Sequence, residues 1–439
     1  MNAAPARPPY RQLATTLRTT TERLARELAN APLSRPARDL TNAPLSRPAR
    51  DLTNAPLSRP AIEGLFNPPD WTPFDWSVAR ASSAMHGISA LLANGLPWRG
   101  PPGWQHFLSE QARHTLLRDV RIGELLAEID VLARREAVGV VMLKGAALRT
   151  MNLYAQGERP MGDIDLYAPT DTFPKVARVL AALGYSEAFR VPRHIAYRAG
   201  PANPPQGAGE HIGNSIKIEL HGLVAESLPA DTVDITSRLA PSPLQPGVHG
   251  YRSRAALMAH LLMHAAGNMR AHALRLVQLH DIARLSTLMN GDDWHELTWA
   301  GNEIPWWAYP PLLLATKYCV AAVPRELLAL LEHSCPLMLA RAARRWTLTD
   351  VSWSNLRIPA FPGIEWSRSA NEAARFAMSR LFPSRSALEG LSVAMHEQPQ
   401  MTAIPWYTRS HPARIVRWVF GRPPRVQTMS SVMAALGER

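Results

Sequence analysis

Asp163-Ile164-Asp165 is the part of this sequence whose residue types and spacing most directly suggest chemistry. On an extended strand, residues i and i+2 face the same way, with Cα atoms ~6.5–7 Å apart. Two carboxylates so placed can converge on a metal centre, and two-metal sites hold their cations ~3.5–4 Å apart. Without a cation, neighbouring carboxylates repel and one protonates. The hard oxygen ligands suit Mg²⁺ (or Mn²⁺). A second pattern lies downstream. Lys217, Glu219 and His221 alternate with Ile216, Ile218 and Leu220, so one strand face is charged and the other apolar. If that strand lies beside Asp163–Tyr167, Glu219 becomes a third carboxylate, as a metal ligand or as a general base on an acceptor hydroxyl. A third pattern is Lys144-Gly145. A glycine permits close backbone approach, helix-start amides favour an anion, and a lysine adds a point charge. Arg159 can reach a phosphate or anchor the turn before Asp163.

These residues need elements to hold them. The β-branched run 138–143 predicts a buried strand, which Lys144-Gly145 ends, and a helix over 146–154 follows. A polar turn at 156–162 leads to a strand over 163–167. A helix over 173–183, capped by Thr170 or Asp171 and stopped by Gly184, comes next. Short strands at 185–189 and 195–198 precede the alternating strand 215–221. Upstream, the spacing predicts helices over 77–92 and 104–136, the second with Leu116, Val120, Ile122, Leu125, Leu126, Ile129, Leu132 and Ala133 on its apolar stripe. Downstream, helices are predicted over 255–269, 271–289, 310–320, 325–347 and 370–382. All thirteen tryptophans lie outside the strand-rich segment, and Trp306-Trp307 reads as a packing anchor.

In this order the motifs resemble the DNA polymerase beta-type nucleotidyltransferase superfamily. Within it they are similar to an uncharacterised bacterial family whose pattern runs Leu-Lys-Gly, then Arg, then Asp-Ile-Asp-Leu, then a strand ending in an acidic residue or His. Leu143-Lys144-Gly145, Arg159, Met161, Asp163-Ile164-Asp165-Leu166 and Glu219-Leu220-His221 carry the resemblance. His260 and His264 on one predicted helix, and Leu279-His280-Asp281-Ile282-Ala283 on the next, extend it over roughly 77–288. The resemblance implies an α+β fold: a small mixed sheet flanked by helices, then a helical C-terminal domain. It implies Asp163, Asp165 and Glu219 as catalytic metal ligands, and Lys144, Gly145 and Arg159 as nucleotide-binding residues. It also implies Mg²⁺ (or Mn²⁺), a nucleoside triphosphate substrate, and attack by an acceptor hydroxyl on the α-phosphorus. The acceptor would be a peptide, a protein or a polysaccharide precursor. Most of the superfamily carries Gly-Ser where this chain has Lys144-Gly145, so Lys144 would replace a serine contact.

Composition narrows the alternatives. A net charge of +12 suits a phosphate-bearing substrate. The charge is nearly all arginine, with Lys144, Lys175, Lys217 and Lys317 the only lysines, and no dense basic run with interleaved aromatics marks a dedicated nucleic-acid binder. No apolar run has the ~18–20 residues needed to span a bilayer, and no secretory leader is visible. Cys319 and Cys335 make neither a disulfide framework nor a zinc site. A cytoplasmic protein is expected. A twelve-residue unit beginning at Asn30 recurs at Asn42 and starts again at Asn54, each full copy holding two prolines. This reads as a linker, and the expected order is a largely unpacked 1–70, N-terminal helices at 71–137, a nucleotidyltransferase core at 138–248 and a helical region at 249–439. Tyr10–Asn30 can form one helix. Three rivals stand beside the main reading. One is a non-catalytic nucleotide- or RNA-binding module. Another is a toxin-like enzyme modifying RNA or protein. The third is a phosphohydrolase using His280-Asp281 with His260 or His264, although Asp292 and Asp293 lie too near for its last ligand. Otherwise Asp281 would pair with Arg275 or Arg284, and His260 and His264 would be packed core residues. The basic stretch 414–425 reads as a docking segment.

Overall fold

The computed structural model describes residues 10–30, 67–191, 193–200, 208–228, 232–301, 303–357, 359, 361–384, 410–421 and 425–437. The repeats, apart from Asn30, lie outside the described residues. The architecture is α+β, as expected: one six-stranded mixed sheet with helices packed on it, followed by a helical region.

In chain order the sheet contains β1 (Gly139–Met142), β2 (Asp163–Tyr167), β3 (Tyr185–Arg190), β4 (His194–Ala199) and β5 (Lys217–His221). Its last strand is β8 (Gly247–His249), because β6 (Ala225–Ser227) and β7 (Thr232–Asp234) form a separate hairpin. The spatial order is β3-β4-β5-β2-β1-β8. β2 and β5 run parallel at the centre, with Asp163 opposite Lys217, Asp165 opposite Glu219 and Tyr167 opposite His221. Parallel neighbours need a long crossover. Here it carries a helix (Phe173–Ala182) and the antiparallel pair β3–β4. Ile164, Leu166, Ile218 and Leu220 are fully buried. They occupy the apolar face opposite the charged one, and this sidedness sets the register, since a one-residue slip would exchange the two faces.

Several helices differ from their expected bounds for local reasons. The helix predicted over 77–92 is two, α1 being Tyr10–Asn30, α2 Pro73–His86 and α3 Ser89–Gly95. Gly87 breaks it at φ +66°, a left-handed conformation that closes α2 by donating to the Ala84 and Ser83 carbonyls. The long helix α4 spans Pro102–Arg135, but Leu116 and Val120 face outward, correcting the expected stripe. Gln111, His114 and Arg118 point inward there because they hold the loop at 209–214. Gln111 pairs with Glu210 through both backbone groups, and Arg118 Nε lies 2.7 Å from the Glu210 carboxylate. After α5 (Lys144–Thr150) and α6 (Phe173–Ala182), the helical region begins with α7 (Arg254–Arg270) and α8 (Leu276–Ser286). Residues 271–275 form a turn, with His272 at φ +53°, so the helix expected over 271–289 starts only at Leu276. A further helix, α9 (Gly291–Trp299), was missed; the Asn290/Asp293 capping box starts it. The helical segment expected over 325–347 holds two helices, Arg325–Ser334 and Leu337–Arg345, separated at Cys335-Pro336, since proline cannot continue the backbone ladder.

The first seventy residues were expected to be largely unpacked, yet α1 buries Leu13, Leu17, Leu24, Ala25 and Leu28. Polar groups fasten it as well. Thr21 Oγ1 lies 2.7 Å from Ser82 Oγ and 2.9 Å from Ser354 Oγ. His86 continues this network. Its Nδ1 accepts from the Leu276 amide at 3.1 Å, so Nε2 carries the proton and donates to Ser354 Oγ at 2.7 Å. Burial, with Arg275 nearby, pushes the His86 pKa down from 6.5 to about 3. A folded pKa below the unfolded one means that the unfolded chain binds more protons between these values, so stability falls as pH drops through 6.5 toward 3. Going from pH 7.5 to pH 5 removes about 2 kcal/mol through His86 alone. Urea midpoints at both pH values check this. A His86→Gln chain with an unchanged acid slope would show that the group does not carry the effect.

Candidate active site

One face of the sheet gathers the charged residues. The β2–β5 register places Asp165 beside Glu219, with Asp163 one pleat further along the same face. Asp165 and Glu219 are 6% and 9% exposed, so both carboxylates are largely withdrawn from water. The partners around them are cationic. Lys144 Nζ lies 2.9 Å from Asp165 Oδ1, and Lys217 Nζ pairs with Glu219 Oε1. His221 Nε2 is 3.0 Å from Asp165 Oδ1 and 3.6 Å from Glu219 Oε2.

The electrostatics follow from burial and these neighbours. Burial and the charges of Asp165 and Glu219 raise the Asp163 carboxyl to about 6, against the pull of Lys144 and Lys217. Burial also disfavours the Asp165 carboxylate, but Lys144 and the His221 hydrogen bond outweigh it and hold the group well below its usual range. Glu219 is likewise opposed by burial yet brought down to about 2, chiefly by His221 and Lys217. His194, across β4 from His221, is lowered to about 4 by burial, so its 3.7 Å approach to Glu219 joins a neutral ring to a carboxylate.

Lys144 and Gly145 sit at the expected strand-to-helix junction, but their contacts are more specific than expected. Lys144 has φ +43°, and its amide donates to Tyr251 Oη at 3.1 Å. That hydroxyl in turn lies 2.7 Å from His260 Nδ1. The Lys144 amide therefore has a protein partner. A Cβ on Gly145 would stand 2.6 Å from the Arg159 guanidinium and 2.9 Å from Met161 Sδ, so close approach at this glycine is made by protein groups.

Arg159 takes the anchoring role. Its Nε and Nη2 each donate to Asp281 at 2.7 Å, a two-point ion pair that is 16% and 2% exposed on the two sides. Asp281 was expected to pair with Arg275 or Arg284; its partner is Arg159. Tyr154 Oη also donates to Asp281, at 2.7 Å, and lies 3.0 Å from His280 Nδ1. Arg284 donates to the Leu153 carbonyl at 2.6 Å and lies over the Tyr154 ring at 4.6 Å. The run His280-Asp281-Ile282-Ala283-Arg284 on α8 thus clamps the loop that delivers β2. With Asp281 and His280 so occupied, and with Asp293 capping α9, the phosphohydrolase arrangement is not assembled. His264 Nε2 bonds Asn268 at 3.1 Å, and both His260 and His264 are pushed down in pKa by burial, with Lys144 adding to it. They are packed histidines close to Lys144 and Asp165. Glu210 and Glu226 are held by Arg118 and Arg193, away from the carboxylate group. A neighbouring cavity of about 350 Å³, lined by Asp119, Gly145, Arg149 and Arg159 among others, includes none of the three carboxylates.

His194 and Tyr251 escaped sequence reasoning. His194 fell just outside its predicted strand, and its place beside His221 depends on antiparallel pairing of β4 with β5. Tyr251 is joined to Lys144 across 107 residues, with no local signal for that contact.

Among the described residues, the donor atoms that lie within 4.8 Å of one another are those of His194, Glu219 and His221. Three carboxylates share one buried face, and Asp163 is short of positive charge there. Lys144 and Lys217 now balance the other two acids, so a cation would compete with ammonium groups. The sequence left open whether the Glu-bearing strand lies beside the Asp-x-Asp strand; it does, and the two run parallel in a mixed sheet. Residues 72–319, more than half of the chain, match the model of a family described as uncharacterised nucleotidyltransferase, and the chain belongs to that family. No curated protein and no solved structure gives a significant match.

Proposed function

We propose that this protein transfers a nucleoside monophosphate from a nucleoside triphosphate to a hydroxyl group of an acceptor, with Asp163, Asp165 and Glu219 holding the required Mg²⁺ or Mn²⁺. The observation that supports it most is the register of two parallel strands, which sets Asp165 against Glu219 with Asp163 on the same face. A cation bound there would offset charge on the triphosphate and make the acceptor hydroxyl more acidic. Lys144, kept protonated by the surrounding carboxylates although buried, adds positive charge toward the phosphates. Arg159 and Asp281 keep the β2 loop in place. The acceptor oxygen forms a bond to the α-phosphorus as the bond to the bridging oxygen of pyrophosphate breaks. The hydroxyl proton passes to a base or to water, and pyrophosphate leaves.

The acceptor class in this reading is a peptide, a protein or a polysaccharide precursor, and the site of action is the cytoplasm, where triphosphates are plentiful. No helix among the described residues is long and apolar enough to cross a membrane. One observation favours a second reading. Lys144 and Lys217 already neutralise two of the acids, as a nucleotide- or RNA-binding module without turnover would tolerate.

Label transfer separates the two. The protein is incubated with each α-³²P nucleoside triphosphate, a divalent cation and cell lysate, beside an Asp163→Ala/Asp165→Ala chain. Label entering a product only with intact carboxylates is the expected result. The product's nature distinguishes a sugar or peptide acceptor from RNA or protein modified in trans by a toxin-like enzyme. No transfer from any nucleotide, with triphosphate binding unaffected by the double substitution, overturns the catalytic reading.

A further inference from the structure

Glu219 lies between two imidazoles. His194 Nε2 stands 3.7 Å from Glu219 Oε1, and His221 Nε2 stands 3.6 Å from Oε2. One ligand atom from each of the three residues lies within 4.8 Å of the other two. The sheet produces this grouping. His194 is opposite His221 across the β4–β5 ladder, and Ala196, two residues along β4 on the same face, is opposite Glu219. His194 Nε2 is buried and has no hydrogen-bond partner among the described residues. Leaving a buried polar atom unpaired costs about 1–3 kcal/mol, and a nitrogen lone pair directed at a cation removes that cost.

The geometry points to a mixed nitrogen–oxygen cation position, His194–Glu219–His221, that selects a transition-metal dication such as Mn²⁺, Co²⁺ or Zn²⁺ over Mg²⁺. It rests on the proposed site to the extent that Glu219 is shared. Magnesium demands oxygen ligands in near-octahedral array and gives up water reluctantly, whereas imidazole binds the later divalent metals well. Metal–nitrogen and metal–oxygen bonds of ~2.0–2.2 Å place ligand atoms roughly 3–4 Å apart around one ion. The observed separations need only small side-chain shifts to reach that spacing. His221 would exchange its hydrogen bond to Asp165 for the ion, and Asp165 would retain Lys144. Asp163 and Asp165 then form the oxygen-rich side of the same face, so the sheet offers two chemically different cation environments joined at Glu219.

Pulsed electron paramagnetic resonance of the purified chain with Mn²⁺ alone tests this. The expected spectrum shows coupling to directly bound ¹⁴N, and the coupling is lost in His194→Gln/His221→Gln. Competition titration should place the Mn²⁺ dissociation constant about tenfold or more below that of Mg²⁺. Each single His→Gln change should raise the Mn²⁺ value by about tenfold while moving the Mg²⁺ value much less. A wild-type Mn²⁺ spectrum without nitrogen coupling overturns the proposal, whether or not the variants fold. Equal affinity for Mg²⁺ and Mn²⁺ overturns the selectivity. Nitrogen-bound Mn²⁺ without label transfer leaves this position standing and removes only the catalytic reading. Label transfer with an oxygen-only Mn²⁺ spectrum does the reverse.

Discussion

If Asp163 and Asp165 hold the cation as proposed, Asp163→Asn and Asp165→Asn should each lower nucleotidyl transfer by about a thousandfold, since a bound cation contributes several kcal/mol of charge stabilisation. Their effects on stability have opposite signs. Asp163 is raised to about 6 by burial and by the charges of Asp165 and Glu219. Its ionised form is therefore disfavoured in the fold, and a neutral amide of the same shape relieves the repulsion. The Asp163→Asn chain should unfold at the same urea concentration as the parent, or a higher one, at pH 7.5. Asp165 is the opposite case. It accepts Lys144 at 2.9 Å and His221 at 3.0 Å, all within a buried cluster. Its neutral replacement leaves a buried ammonium without its nearest counter-charge, and breaking a buried pair costs about 3–5 kcal/mol. Urea denaturation monitored by circular dichroism, run with the label-transfer assay, checks both signs. Equal destabilisation by the two changes would contradict the charge arrangement described here, even if both abolish transfer.

Arg159→Met and Asp281→Leu, made singly, should each cost about 3–5 kcal/mol, because each strands the other charge in a site that excludes water. Asp281 is the more damaging loss, as it also accepts from Tyr154. The double change should cost less than the sum of the singles, since two apolar residues of similar size replace a pair whose desolvation was expensive. A coupling energy of about 2 kcal/mol or more in this cycle is expected. Strictly additive effects would mean that the pair does not hold the loop. Transfer should fall in the single variants as well, because residues 153–159 lead directly into β2 and Asp163. The Arg284 contact with Leu153 supplies a second attachment of the same loop, so the double variant should retain a folded sheet.

Much of the candidate site was legible in the chain. Asp163 and Asp165 share a face by the period of a strand alone, and Lys217, Glu219 and His221 do so by the same rule. β2 has the expected bounds, and α6 stops before Gly184 as its sequence indicated. Helix boundaries were harder to read where one residue overrides a continuing apolar pattern. Gly87 divides the helix expected over 77–92. The inward-facing polar stretch of α4 was unreadable for a different reason. Gln111, His114 and Arg118 are buried because a loop nearly a hundred residues away needs their hydrogen bonds.

Local sequence determined which residues could carry charge chemistry, on which strand face, and in what order, because side-chain alternation and helix start and stop signals act over a few residues. It also limited the cysteines to isolated thiols and the fold to a small sheet within many helices. Only the tertiary structure decided which strands are neighbours. That pairing sets Asp165 against Glu219, brings His194 to His221, gives Tyr251 to the Lys144 amide and commits Arg159 to Asp281. Such contacts join residues tens to more than a hundred positions apart. Their energies depend on the burial and charge of both partners together, and neither segment states these alone.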